Sequence, residues 1–310
     1  MSSNAMTSED IVKSVEKTEV NEEIISKYKS EDEFTGLAFE LLKEIAKVVV
    51  VLSSVVPTDD GIHPRKWNRD EAILGGMLIR IGKLQKGILG HTMERQRELA
   101  VILMRCLAET AINFQYLIHN NSKELFDAYV EYSLRTEKRL LLDVEERTER
   151  DKKGDNPLLP AINERMKKSI LFTFEKSGMK PDQVDEKKKE PWGGKNLYQK
   201  TEEIGYEYGY RALFSLPSHN IHGNWQDIFE YHVEPSASGF SPWNHWHRPR
   251  PQYLFVAALL SASACHSFID FLPDTNEKET LRKLVSDLFD RTKKADFLHE
   301  TFLQAAKTPQ

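Results

Sequence analysis

Histidines and tryptophans crowd into the stretch from His219 to His247, which holds five of the ten histidines and three of the five tryptophans. The run SHNIHGNW places His219 and His222 three residues apart, and NHWH places His245 and His247 two apart. Imidazole exchanges protons near neutral pH and, when neutral, ligates transition metals, so two chemistries are open. The first is metal-free acid and base catalysis, with His222 or His219 moving the proton and Arg211 or Arg105 stabilising a developing negative charge. The second is a metal site on His219 and His222, completed by Glu207, Asp227, His232, His245 or His247. No HExxH or ExxH spacing occurs in the chain, which favours the first. A purely structural role is also open, in which these histidines hydrogen-bond a kinked backbone.

Positioning such groups falls to a helix expected over 196–216. On it Glu203, Glu207, Tyr210 and Phe214 recur at spacings of four, three and four and so share a face. Gly205 and Gly209 lie one turn apart and would let a neighbouring helix approach closely. Pro217 should end this helix. Ser218 as N-cap and Gly223 as the residue after the last turn would then frame a single turn presenting His219 and His222 together. Asn224 with Asp227 caps a further short helix whose apolar face would carry Trp225, Ile228, Phe229 and His232. The facing group is expected on the most strongly periodic helix, Thr92 to Ile118, where Arg105 and Glu109 stand four apart. Trp243, Trp246 and Arg248 could stack on a ligand or simply cover the core.

The rest of the chain reads as helices with short joints. Ser30 and Glu33 form a capping box for a helix to about residue 55, and Asn68 and Glu71 do the same for the next. The glycines of that second helix, at 75, 76, 82 and 87, call for close packing in compensation. Helices follow over about 122–150 and 157–177. The segment MKPDQVDEKKKEPWGGK reads as a surface connection whose lysines are solvated. Pro251 opens an apolar helix that ends before Pro273, and a last helix covers about 275–306. With no alternating strand pattern and no internal repeat, the expected fold is all-α: an antiparallel multi-helix bundle of about nine to ten helices with no substantial sheet. Residues 1–29 are set apart as a cloning remnant and polar arm, and 30–307 as one helical-bundle domain.

Composition narrows the partners. A net charge of −5 on 310 residues gives no overall attraction to nucleic acid or membrane. The longest apolar runs, 48–56 and 254–265, are shorter than the roughly 20 residues of a membrane span, so a cytoplasmic protein is expected. Cys106 and Cys265 each sit in an apolar helical pattern and read as buried thiols of a reducing compartment.

RCLAETAINFQYLI (105–118), PWGGKNL (191–197) and YEYGYRALFSLPSHNIHGN (206–224) together resemble a set of bacterial helical proteins grouped as a domain of unknown function, number five-six-seven-seven. The resemblance covers about 95–224 and implies an α-helical fold without an established activity. More distantly, an Arg followed by a His near the end of a bundle helix resembles the HEPN ribonucleases, in which the pair cleaves RNA without metal. Here seven residues separate Arg211 from His219 and ten separate it from His222, with Pro217 between, which departs from that motif. The expected catalytic set is His222, His219, Arg211, Glu207, Tyr210, Arg105 and Glu109, acting without a cofactor. RNA or a protein partner is expected, and a homodimer is open. A third reading is an interaction module anchored by Tyr206, Tyr210, Trp225 and Trp243.

Overall fold

The computed structural model describes residues 15–55, 65–150, 158–206, 221–273 and 276–307. Among them the chain forms ten α-helices and one two-stranded hairpin, the all-α architecture expected from its periodicity. In chain order these are α1 (Glu22–Ile25), α2 (Glu31–Ser53), α3 (Arg69–Met93), α4 (Arg97–Asn120), α5 (Lys123–Arg150) and α6 (Leu159–Ser177). Then come α7 (Leu197–Glu203), α8 (Trp225–Tyr231), the hairpin β1 (Val233–Ser236) and β2 (Gly239–Pro242), α9 (Pro251–Phe271) and α10 (Asn276–Lys307). The chain divides into two compact units, Met1–His119 with Thr201–Gln310, and Asn120–Lys200.

In the first unit α2, α3, α4, α9 and α10 supply the core. Leu41, Leu42, Ile45 and Leu52 of α2, Leu78 and Ile81 of α3, Leu107 and Phe114 of α4, Phe255 and Cys265 of α9, and Leu288 of α10 are fully buried. Each large side chain of this kind stabilises the fold by about 1.5–3 kcal/mol relative to exposure. Phe34 of α2 meets Phe302 of α10 while Glu44, further along α2, meets Arg291, so these two helices run antiparallel. The same reversal relates α9 and α10, through Gln252 with Glu300 and Asp270 with Arg282. The helix starts follow their caps. Glu71 accepts the Asn68 N–H at 2.8 Å, and Asn68 Oδ1 accepts the Glu71 N–H at 2.9 Å. Three of the four α3 glycines singled out are closely packed: a Cβ would meet Trp67 at position 75, Val49 at 82 and Leu103 at 87, whereas Gly76 has open space. Helices α4 and α9 are long and apolar enough to cross a membrane by length and composition, and 61% of each apolar window is buried inside the fold.

The described part of the N-terminal arm is tied down rather than loose. The Thr18 N–H donates to Glu44 Oε2 at 2.8 Å, and Arg291 donates to the Thr18 carbonyl at 2.7 Å.

In the second unit α5 packs on α6 and on the turn Trp192–Gly194. Trp192 is buried against Tyr129, ring centroids 5.2 Å apart, and under Lys200 Nζ at 3.0 Å. The connection before it is therefore anchored to α5, not a loose surface loop.

Two expected helix boundaries shift. Thr92 ends α3 instead of starting α4, and a turn at 94–96, with Arg95 at φ 58°, separates them. The helix expected over 196–216 stops at Glu203. Gly205 takes φ +79°, its N–H bonds the Glu202 carbonyl and the Tyr206 N–H bonds the Thr201 carbonyl, the paired bonds of a Schellman stop.

Candidate functional site

Of the seven residues expected to form the site, Glu207, Tyr210, Arg211 and His219 lie outside the described residues, as do Pro217 and Ser218. His222 is exposed, directly before Gly223 at φ +56°, the left-handed residue anticipated there. Arg105 and Glu109 pair at 3.6 Å on α4, Glu109 half in solvent, a contact worth a few tenths of a kcal/mol. Because the Gly205 stop interrupts the helix, periodicity no longer puts Glu203 on one face with residues beyond 206. Among the described residues no neighbour lies within 4 Å of where a Gly205 Cβ would sit, and its φ of +79° serves the turn.

A different group of residues does converge, at the start of α4. The Arg97 N–H, one of the amides a helix start leaves without an internal partner, donates to the His247 carbonyl at 3.1 Å. This bond lays the segment 243–248 across the helix end. Arg97 is 7% exposed; its guanidinium donates to Glu230 Oε1 at 2.9 Å and covers the Tyr231 ring at 4.9 Å. Glu98, equally buried, holds Oε1 3.5 Å from His247 Nδ1. The His247 ring stands edge-on to Tyr231 at 5.3 Å, and Trp243 lies tilted over it at 6.1 Å. Beside them Asp227 Oδ2 is 3.5 Å from His232 Nε2. Arg97 Nε, Glu98 Oε2, Trp243 Nε1 and His247 Nδ1 are buried with no hydrogen-bond partner among the described residues, so Glu98 and His247 stand near each other without a hydrogen bond. Polar atoms left so are costly in a core, and each calls for an explanation.

Local sequence explains the placement. Asn224 caps α8 by accepting the Gln226 and Asp227 N–H groups at 3.1 and 3.2 Å. The seven residues of α8 turn Asp227 and Tyr231 inward. The apolar face expected of Trp225, Ile228, Phe229 and His232 is thus not the buried one: Trp225 is 62% exposed and Phe229 44%. These two rings pack instead on Phe240 of the hairpin, at 5.5 and 6.4 Å. All three rings remain exposed, and a groove of about 370 Å³ is lined by Trp225, Gln226, Phe229 and Glu230. Glu230 therefore joins the exposed aromatic groove to the buried Arg97.

The arrangement can move a proton. A carboxylate beside one ring nitrogen can set the orientation of an imidazole and leaves the other nitrogen for a substrate. The Arg97 guanidinium, paired with Glu230, lies over the Tyr231 ring that the His247 ring meets edge-on. Among the described residues no group of three or more His, Cys, Asp and Glu side chains is arranged to hold a metal ion.

His247 was visible in the sequence as half of NHWH, but its partners were not. Arg97 and Glu98 read as ordinary polar positions in the first turn of an apolar helix. The signal that could have found them is a doublet of opposite charges at a helix start followed by a long apolar run.

Fold and site together define an all-helical bundle protein in which buried Arg97 and Glu98 meet Glu230 and His247 at one helix start, Glu230 also lining an aromatic groove. The chain belongs to a family of unknown function, DUF5677, which it matches over residues 71–240. That stretch takes in Arg97, Glu98, Glu230 and Tyr231 and ends before Trp243 and His247. Comparison with curated proteins and with solved structures yields no match.

Proposed function

We propose that the chain is a cytoplasmic, metal-independent hydrolase whose proton-transfer residue is His247, oriented by Glu98 and assisted by the charge of Arg97. One observation carries this reading: Arg97 and Glu98 are buried at one helix start with polar atoms unsatisfied, the partly exposed His247 lies 3.5 Å from Glu98, and Glu230, the partner of Arg97, lines an open groove. Ion pairs are costly to bury and are a poor way to stabilise a fold, so a functional use accounts for their presence better.

RNA is the substrate to test first. It carries its own nucleophile, and the exposed Trp225, Phe229 and Phe240 rings offer a surface on which unpaired bases stack. In this reading His247 takes the 2′-hydroxyl proton as the 2′ oxygen attacks phosphorus and returns it to the departing 5′ oxygen, while Arg97 offsets the charge on the phosphoryl oxygens. The products are a 2′,3′-cyclic phosphate and a 5′-hydroxyl end.

His247→Ala, with His222→Ala as its companion, tests the assignment in an RNA-cleavage or cellular-toxicity assay run in chelator. Loss of about 10²–10⁴-fold for His247→Ala with an unchanged melting curve supports it. Loss for His222→Ala alone moves the chemistry to His222, and full activity of both variants overturns the reading.

The exposed aromatic trio favours a second reading, a non-catalytic module that pairs with another copy of itself through Trp225, Phe229 and Phe240. Sedimentation would then show a dimer that Trp225→Ser with Phe240→Ser converts to monomer. A wild-type monomer at high concentration removes it.

A further inference from the structure

The second unit holds a cationic pocket that the histidine chemistry does not use. It measures about 480 Å³ and lies between α5 and the loop that precedes Trp192, lined by Tyr132, Arg135, Thr136, Arg139 and residues 186–189. Arg135 is buried and fixes the loop. Its guanidinium grips Glu131 through Nε and Nη2 at 3.1 and 3.2 Å, and Nη1 donates to the carbonyls of Lys188 and Glu190 at 3.1 and 2.5 Å. Those bonds hold the lysine run against α5 instead of leaving it to wave in solvent. Glu131 neutralises Arg135, and Glu190 lies 3.5 Å from Lys188. Arg139, Lys187 and Lys189 then face the pocket without a carboxylate partner among the described residues, against the single acid Glu186. In a chain of net charge −5 this is a local reversal of sign. Beside these cations the Tyr132 ring is 43% exposed, and the Arg135 guanidinium stacks on it at 5.0 Å.

Cations gathered around a cavity bind phosphate, and an exposed aromatic ring at its rim takes a base. We infer that the Tyr132–Arg139–Lys187–Lys189 pocket is a binding site for nucleotide phosphates, supplied either as a free nucleotide or as a single-stranded nucleic acid. The site stands apart from the reaction proposed above and is tested without any activity assay.

Calorimetric titration of the full chain at low salt uses four probes: adenosine triphosphate, a single-stranded oligonucleotide, inorganic phosphate and dextran sulfate. Both nucleotide probes are expected to bind, and to weaken steeply as salt is raised. Lys187→Glu combined with Lys189→Glu, two exposed positions whose change leaves the melting curve in place, should weaken both by at least about tenfold. Tyr132→Ala should weaken the nucleotide probes by about tenfold while leaving inorganic phosphate unchanged. A much tighter oligonucleotide than triphosphate assigns the site to nucleic acid, and equal or weaker oligonucleotide binding assigns it to a free nucleotide. The inference is overturned if neither nucleotide probe binds, if the charge-reversed variant binds as the wild type does, or if dextran sulfate binds as tightly as the nucleotide probes.

Discussion

At the scale of single residues, the informative ones are charged groups in places that penalise charge. Glu98 sits in the first turn of α4, where a negative charge gains from the helix dipole, yet its Oε2 is buried without a partner. A group kept for stability alone would have that atom bonded. Glu98→Gln preserves shape and removes the charge that orients His247, so turnover should fall by about 10²-fold while the melting temperature holds or rises. A lower melting temperature with turnover unchanged would make Glu98 a structural residue. Glu71 gives the contrasting case of a charge used for folding. The two Arg65 hydrogen bonds, opposed by burial and aided by the Asn68 N–H, hold its carboxyl below the ordinary 4.5. The folded state therefore binds this proton less readily than the unfolded chain. The stabilisation is fully present above that ordinary value and is lost as pH falls through the depressed one. Urea titrations from pH 6 down to about 3 should show a stability loss that Glu71→Gln makes smaller.

Elements show why some of this was legible in advance and some was not. Capping pairs such as Asn68 with Glu71, and the apolar repeats of α2, α4 and α9, are local signals, and the helices formed where those signals pointed. The break at Gly205 was also written locally, but a glycine inside an otherwise helical run has two meanings, close packing or a left-handed stop. Tyr206 tips the balance: its N–H closes the stop on Thr201 and its hydroxyl pairs with Ser263 of α9. Gly205→Ala should accordingly cost about 1–2 kcal/mol in urea unfolding, since an L side chain resists that φ. A neutral effect would argue for the continuous helix. The candidate site was the least legible part. Arg97, Glu230 and His247 lie up to 150 positions apart and meet only because the 243–248 segment is bonded across the α4 start. Spacing rules see neighbours on one helix and so favoured Arg105 and Glu109, which pair at 3.6 Å on α4.

For the molecule as a whole, the N-terminal segment, α2 and α10 are joined at one buried ion pair. Arg291 donates to both Glu44 oxygens at 2.6 and 2.9 Å, and Glu44 is 2% exposed. Arg291→Leu leaves that carboxylate buried without its counter-charge, only the Thr18 N–H still bonding it, which should cost about 3–5 kcal/mol in denaturant unfolding, whereas Glu44→Leu with Arg291→Leu should recover most of it. Additive losses would mean that the two side chains act separately. The Arg135 grip on Lys188 and Glu190 has a consequence of a different kind. A protease must draw an extended stretch of backbone into its cleft, and carbonyls held by a buried guanidinium cannot leave. The three trypsin bonds that follow Lys187, Lys188 and Lys189 should thus survive in the native chain. Arg135→Ala should open them to rapid nicking, so that one side chain on α5 sets the lifetime of a loop more than fifty residues away in sequence.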